Sequence, residues 1–69
     1  MKLVIVESSM IHAIGYDQKE HILKIVFNNG RSYCYEDVPL EEYKGLLKTE
    51  SKGHYFLEHI RDVYACRLV

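Results

Sequence analysis

The sequence has no tryptophan, one proline, two cysteines and a net charge of only −1, and each shortage excludes a class of protein. Nine lysines and arginines against ten aspartates and glutamates create no overall field that attracts nucleic acid or a membrane surface. No apolar run approaches the roughly 20 residues that span a bilayer, and Leu3–Val6 is too short for a signal peptide. Two cysteines are too few for the disulfide framework of a small secreted domain. We therefore expect a cytoplasmic protein in which Cys34 and Cys66 are buried free thiols.

The composition is that of one folded domain covering residues 1–69. Apolar residues make up 48% of the chain and charged residues 28%, and there is no repeat or linker. A chain of this length buries only about 60% of the surface that its unfolded form exposes. Because such a core rarely supplies more than about 3–5 kcal/mol, a partner subunit is an expected source of further stability.

The half of the chain before Pro39 has the alternating pattern of β-strands. Residues 17–20 form a polar turn, and Asn29-Gly30 predicts a hairpin with a type I′ turn, which has positive φ at both residues. The predicted strands are Lys2–Glu7, Met10–Tyr16 with a kink at Gly15, His21–Asn28 and Arg31–Glu36. Short connections between consecutive strands predict an antiparallel meander.

After Pro39 the apolar spacing changes to that of helices. Pro39 suits the first turn of a helix that Asp37 caps, and a second helix follows a break near residues 51–53. The apolar stripes are Leu40, Tyr43, Leu46 and Leu47 in the first helix, and Phe56, Ile60 and Val63 in the second. The tail Ala65–Val69 is compatible with continued helix or with an edge strand. The predicted fold is α+β: an antiparallel β-meander of three to five strands followed by two C-terminal helices packed on one face.

Both faces of the predicted sheet carry apolar side chains. They are Leu23, Ile25 and Phe27 on one face and Ile22, Val26 and Cys34 on the other. Two short helices cover only one of these faces. We therefore predict a homo-oligomer, in which the other face meets a second copy of the chain.

Residue types that bind metals or catalyse reactions are present, but not in the arrangements that this chemistry needs. His54 and His59 are five residues apart, about 140° around a helix, whereas a helical zinc pair needs a spacing of four. The acids between Glu36 and Glu42 flank a helix N-terminus, where capping and the helix dipole account for them. Neither cysteine belongs to a motif that pairs it with a base. We therefore expect no catalytic residue, no metal site and no cofactor.

Two features favour a binding function instead. The chain has six tyrosines, whose rings and hydroxyls suit the stacking of bases as well as core packing. Arg31, Tyr33 and Tyr35 alternate along one strand and therefore share a face, which places a guanidinium beside two rings. Lysines at positions 44, 48 and 52 form a stripe along one helix edge, for which a solvated face is the ordinary explanation. The predicted ligand-binding residues are Arg31, Tyr33, Tyr35, Tyr16, Lys44, Lys48 and Tyr55.

An ordered series of short motifs covers most of the chain. They are Ser8-Ser9, Ile14-Gly15-Tyr16-Asp17, Gly30-Arg31, Tyr33-x-Tyr35, Val38-Pro39, Tyr43, Leu46, Ser51-x-Gly53, Tyr55-Phe56 and Ile60. From about residue 8 to residue 64 the series resembles the KTSC domain. That domain is named for its place at the C-terminus of some lysyl-tRNA synthetases, and it also occurs as a stand-alone bacterial or phage protein. The sequence departs from the family at Leu57, where the family often has asparagine.

The resemblance implies two kinds of ligand. The synthetase context implies RNA binding, whereas a stand-alone phage protein fits the sequestration of a host nucleotide immune signal in the bacterial cytoplasm. RNA-binding modules gain affinity by neutralising phosphates, and a net charge of −1 argues against that role. We therefore favour non-catalytic capture of a nucleotide-type small molecule, with an RNA-binding module or a protein-binding adaptor as alternatives.

Overall fold

Seven elements follow one another along residues 1–69, all of which the computed structural model describes. They are β1 (Leu3–Ile5), β2 (Ile11–Asp17), β3 (Ile22–Phe27), β4 (Ser32–Tyr35), α1 (Leu40–Lys48), α2 (Lys52–His59) and β5 (Cys66–Leu68). The strands form one sheet in the order β1-β2-β3-β4-β5, with every neighbouring pair antiparallel. The predicted α+β fold is confirmed, and the number of strands is five.

The C-terminal tail forms an edge strand, which is one of the two structures predicted for it; the other was continued helix. Strand β5 pairs with β4, so that Cys66 lies opposite Tyr35 and Leu68 lies opposite Tyr33. Helices α1 and α2 together make the connection between these two neighbouring strands. As a result, the end of α2 and the whole of β5 lie beside the tyrosines of β4.

Helix α1 begins directly after Pro39, but the predicted cap at Asp37 is wrong. No side chain caps this helix, and Asp37 is exposed with a φ of +57°. The chain therefore turns from β4 into α1 through a left-handed residue, a conformation that aspartate adopts more readily than most residues. At the other end of α1, Lys52 Nζ donates hydrogen bonds to the carbonyl oxygens of Leu47 and Thr49 at 3.2 and 2.8 Å. One lysine of the predicted stripe thus satisfies the C-terminus of this helix.

Helix α2 is shorter than its apolar pattern predicts. It begins at Lys52, inside the predicted break, and ends at His59. Phe56 and Ile60 pack in the core as expected, but Val63 lies in the following turn with 59% of its surface exposed. The predicted place of Val63 on the packed side is therefore wrong. Neither helix has the length and apolar character needed to cross a membrane.

The β3–β4 hairpin has a different turn from the predicted type I′. Gly30 has a φ of +90°, whereas Asn29 is not left-handed. The Gly30 amide donates to the Phe27 carbonyl at 3.0 Å, and the Phe27 amide donates to the Arg31 carbonyl at 2.8 Å. These bonds define a three-residue loop that a left-handed glycine closes. Asn28 belongs to this loop, and its side chain donates to a backbone carbonyl of the segment before β2 at 2.9 Å.

Strand β2 departs from regular pairing at His12 and not at Gly15. Its register with β3 shifts between Ile11 and Ala13, so that His12 is the extra residue of a bulge. Gly15 pairs regularly, and the kink predicted there is wrong. A Cβ at Gly15 would lie 2.7 Å from the Leu3 side chain, so the missing side chain makes room for β1 to pack across β2.

The core lies between the two helices and one face of the sheet. Its nine buried side chains are Ile11, Ile14, Leu23, Ile25, Tyr35, Val38, Leu46, Phe56 and Ile60. The other face, here called the open face, carries Leu3 and Ile5, which pair with Gly15 and Ala13 and are 43% and 73% exposed. The helices therefore cover one face only, and an apolar part of the sheet remains accessible.

Candidate functional site

A groove of about 360 Å³ lies between α2 and the β4–β5 edge of the sheet. Its lining is mainly apolar, with Phe27, Tyr33 and Tyr35 contributed by the sheet and Phe56 and Leu57 by α2. This volume is at the lower end of the range of small-molecule sites, which are also mainly apolar with a few polar groups. We call this feature the groove.

The strand pattern explains why these aromatic rings meet. Tyr33 and Tyr35 are two residues apart on β4 and therefore point to the same side of the sheet. Tyr33 packs edge-on against Phe27 with ring centroids 5.9 Å apart, and Tyr35 packs edge-on against Phe56 at 5.6 Å. Edge-to-face pairs at these distances are favourable, so they hold the rings in place.

The Tyr35 side chain is largely buried, but its hydroxyl has no hydrogen-bond partner in the protein. Tyr35 is only 5% exposed, and the tyrosine hydroxyls that form hydrogen bonds are those of Tyr16, Tyr55 and Tyr64. Every side-chain polar atom that is fully enclosed has a hydrogen-bond partner, and the Tyr35 hydroxyl has none, so this hydroxyl must reach solvent. Tyr35 lines the groove. Burial, with a smaller effect from Cys66, raises the pKa of Tyr35 to about 12. The hydroxyl therefore stays protonated near neutral pH and can donate a hydrogen bond to a ligand.

The two ends of the groove differ in charge. Arg31, just before β4, is exposed and forms no ion pair within 4.0 Å. At the other end, Arg61 Nε lies 4.0 Å from the Asp62 carboxylate, and both side chains are largely exposed. The charges of Arg61 and Asp62 influence the pKa of Tyr35, so these residues lie at the Tyr35 end of the groove. Tyr35 follows Arg31 by four residues, which is about 13 Å along the chain at the rise of a β-strand. The groove thus has a cationic end and a mixed-charge end, separated by aromatic rings.

Three of the predicted ligand-binding residues come together here, namely Arg31, Tyr33 and Tyr35. The strand period was the signal that placed them on one face. Arg61, Asp62 and Cys66 also line the groove, and none of them was among the predicted ligand-binding residues. They reach it through the end of α2 and through β4–β5 pairing, and only an assignment of the tail as an edge strand beside β4 could have indicated Cys66.

Tyr16, Lys44, Lys48 and Tyr55, which were also predicted to bind ligand, lie outside the groove. Tyr16 stacks on Tyr43 with ring centroids 5.1 Å apart, and its hydroxyl donates to the Val38 carbonyl oxygen. Tyr16 therefore joins β2 to α1 and to the segment before it. The two lysines are exposed on α1, which supplies no residue to the groove.

Tyr55 belongs to a polar cluster between the two helices. Its hydroxyl donates to Glu42 Oε1 at 2.8 Å, and its ring stacks on His59 with centroids 4.3 Å apart. The Tyr64 hydroxyl donates to Glu42 Oε2 at 3.4 Å. Glu42 on α1 therefore accepts hydrogen bonds from α2 and from the turn after it, which gives Tyr55 a structural role.

The two cysteines differ in environment, and the prediction that both are buried is wrong for Cys66. Cys34 is buried and lies opposite Arg67, whereas Cys66 is exposed and lies opposite Tyr35. Because neighbouring positions on a strand point to opposite faces, Cys34 lies on the open-face side and Cys66 on the groove side. Both thiols are free. No group of three histidine, cysteine, aspartate or glutamate side chains is arranged to hold a metal ion.

The fold and the groove together define a class of small α+β domain: a five-stranded meander with a helical pair on one face and an aromatic groove at its C-terminal edge. The sequence profile of the KTSC domain matches residues 7–64. The chain belongs to the KTSC domain family, as the series of short motifs predicted.

Two bacterial proteins are similar to this one over most of the chain. A protein of Stutzerimonas stutzeri (strain A1501) is 41% identical over 56 residues, which are 81% of this chain and 79% of that protein. A protein of Tsukamurella paurometabola is 48% identical over 50 residues, which are 72% of this chain and 75% of that protein. The crystal structure of a KTSC domain protein from Yersinia pestis superposes with a TM-score of 0.96 at 32% identity, covering 99% of this chain and 96% of that one. The complete five-stranded architecture is therefore shared with a solved member of the family.

Leu57, where the sequence departs from the family pattern, forms part of the groove wall. It is 42% exposed and follows the buried Phe56 on α2. Leucine makes this wall apolar where an asparagine would present an amide. The polar side chains of the groove are therefore those of Asn29, Tyr33 and Tyr35 together with the charged residues at its two ends.

Proposed function

We propose that this protein binds a nucleotide-type small molecule in the groove without altering it chemically. The observation that carries the proposal is Tyr35, a largely buried side chain that lines an aromatic groove and whose hydroxyl has no hydrogen-bond partner within the protein. Because no protein group accepts from this hydroxyl, it is available to donate a hydrogen bond to a ligand.

The groups around this hydroxyl suit the two parts of a nucleotide. The aromatic rings offer apolar surface to a base, and contacts of this kind contribute roughly 1–3 kcal/mol per base. Arg31 has no carboxylate partner in the protein, so its guanidinium is free to form charge-assisted hydrogen bonds with a phosphate. Capture of this kind is all that sequestration of a nucleotide signal requires, and sequestration is the role that we propose.

The charge distribution favours a small ligand over an RNA strand. A polymer needs a continuous track of cations along its phosphates, but Lys44 and Lys48 lie away from the groove and Asp62 stands at one of its ends. A protein partner would find its apolar surface on the open face, which is a different part of the molecule.

Calorimetric titration with nucleoside monophosphates and short RNAs tests the proposal. We expect Arg31→Gln to weaken nucleotide binding by roughly 1.5–3 kcal/mol, the scale of a charged hydrogen bond. The melting temperature should change little, because Arg31 is exposed and unpaired. Arg67→Gln is the matched control: it removes the same charge from the opposite side of the sheet and should leave binding unchanged.

The position of the ligand can be read from thiol protection. In a Cys34→Ser variant the remaining thiol, Cys66, lies in the groove, and a bound nucleotide should slow its alkylation by a maleimide. Binding that leaves this alkylation rate unchanged would place the ligand elsewhere. Unaltered affinity in Arg31→Gln, or tight binding of RNA with none of mononucleotides, would contradict the proposal.

A further inference from the structure

The charge difference between the two ends of the groove bears on the orientation of the ligand. At one end Arg31 forms no ion pair, so an anionic group there meets an unopposed guanidinium. At the other end an anion beside Arg61 would also lie near the Asp62 carboxylate and be repelled by it. If the groove binds a nucleotide as proposed above, the phosphate therefore lies at Arg31 and the base at the opposite end.

The Arg61 end offers a set of groups that matches the edge of one base in particular. Arg61 supplies N–H donors, Asp62 supplies carboxylate acceptors, and Tyr35 lines the same groove. Guanine presents two acceptors, O6 and N7, next to two donor groups, the N1–H and the exocyclic amine. Adenine has no hydrogen at N1, and it therefore cannot give Asp62 the pair of adjacent N–H donors that guanine presents. We infer that the groove selects guanine nucleotides, with Asp62 accepting from the guanine N–H donors and Arg31 holding the phosphate.

The turn after α2 holds Asp62 at this position. The Ile60 carbonyl accepts hydrogen bonds from the amides of Val63 at 3.1 Å and Tyr64 at 3.3 Å, and the Arg61 amide donates to Phe56 at 2.9 Å. Asp62 itself has a φ of +63°. Asparagine tolerates this left-handed conformation as well as aspartate does, so Asp62→Asn removes the charge and leaves the turn intact.

Titration of GMP, AMP, CMP, UMP and unphosphorylated guanosine tests this inference. We expect the wild-type protein to bind GMP about tenfold or more tightly than AMP, the scale of one well-formed bidentate contact to a base. Asp62→Asn should remove this preference by weakening GMP binding while AMP binding stays the same. Arg31→Gln should weaken GMP binding but not guanosine binding. Asp37→Asn is the matched control, because Asp37 is exposed with a φ of +57° and lies outside the groove.

The outcomes separate this inference from the proposed function. Equal affinities for GMP and AMP would overturn the selection of guanine and leave nucleotide binding in place. A GMP preference that survives in Asp62→Asn would also overturn it, because the base would then be recognised elsewhere. Failure of every nucleotide to bind would instead overturn the proposed function itself.

Discussion

The tyrosine hydroxyls occupy two kinds of environment in this domain. Those of Tyr16, Tyr55 and Tyr64 donate to protein acceptors and connect neighbouring elements. That of Tyr35 has no such acceptor and reaches solvent, although the rest of the side chain is buried beside the groove. The same residue type thus stabilises the fold at three positions and marks the groove at a fourth.

Tyr55 makes the free energy of unfolding depend on alkaline pH. Burial, followed by the hydrogen bond to Glu42, raises the pKa of Tyr55 from 10.0 to about 12 in the folded protein. The unfolded chain therefore loses this proton at lower pH than the folded chain does. The stabilisation is complete below pH 10 and is lost as the pH rises towards 12.

We expect the free energy of unfolding to fall over this pH interval, and to fall less steeply in Tyr55→Phe. The slope should not vanish, because the pKa of Tyr35 is also raised to about 12. Urea unfolding at a series of pH values, with tyrosinate absorbance as a second readout, measures the effect. Tyr33→Phe is the control, since its hydroxyl lies in the groove and not beside Glu42. Identical slopes in Tyr55→Phe and the wild-type protein would contradict the prediction.

At the scale of elements, the contact between α1 and α2 depends on Gly45. A Cβ at this position would lie 2.8 Å from Cζ of Tyr55, closer than packed atoms tolerate. Tyr55 cannot easily move away, because Glu42 and His59 hold its hydroxyl and its ring. Helix propensity alone would favour alanine over glycine by about 1 kcal/mol, so packing opposes propensity here.

We expect Gly45→Ala to destabilise the wild-type protein by about 1–3 kcal/mol, the usual cost of overpacking. In a Tyr55→Ala background the same substitution should stabilise the protein by up to about 1 kcal/mol, because the obstruction is gone and propensity remains. Urea denaturation of the four proteins in this cycle measures both effects. A loss of stability of the same size in both backgrounds would show that the contact with Tyr55 is not the cause.

At the scale of the whole molecule, the open face is the main apolar surface that the chain leaves uncovered. Its exposed members include Leu3 and Ile5 of β1 and Val69, whose amide donates to Ser32 of β4. Leu3 and Ile5 are neighbours at one edge of this face, and Ile5 is 73% exposed, whereas Val69 lies at the opposite edge. Adjacent exposed apolar side chains such as those of Leu3 and Ile5 are typical of interaction surfaces. A small domain gains much of its missing stability when such a surface is buried.

We expect the protein to self-associate through the open face. Sedimentation equilibrium at micromolar concentration should give a mass above the 8.1 kDa of one chain. Ile5→Lys should return the protein to the monomer mass, because burial of an unpaired charge is unfavourable. Val63→Lys is the control, since Val63 is 59% exposed in the turn after α2, outside the sheet. A wild-type mass of 8.1 kDa would contradict the prediction.

Local patterns in the sequence were sufficient to predict features that lie within a single strand or helix. Alternation along β3 and β4 predicted the strands and the shared face of Arg31, Tyr33 and Tyr35 because side chains on a strand repeat every two residues. The change of apolar spacing after Pro39 predicted two helices, because the buried side chains of a helix recur every three to four residues. The ordered motifs indicated the family, and the profile match over residues 7–64 confirmed it.

The tertiary structure decided what depends on contacts between residues distant in the chain. Residues 66–68 are a strand because β4 offers them backbone partners, which no local pattern reveals. Cys66 joins the groove through this pairing and Asp62 through the turn after α2, whereas Tyr55 contacts Glu42 and lies outside the groove. The sequence by itself therefore determined the kinds of elements and one side of the groove. Packing of α2 and β5 against β4 decided the other side, because these contacts form only when the whole sheet is assembled.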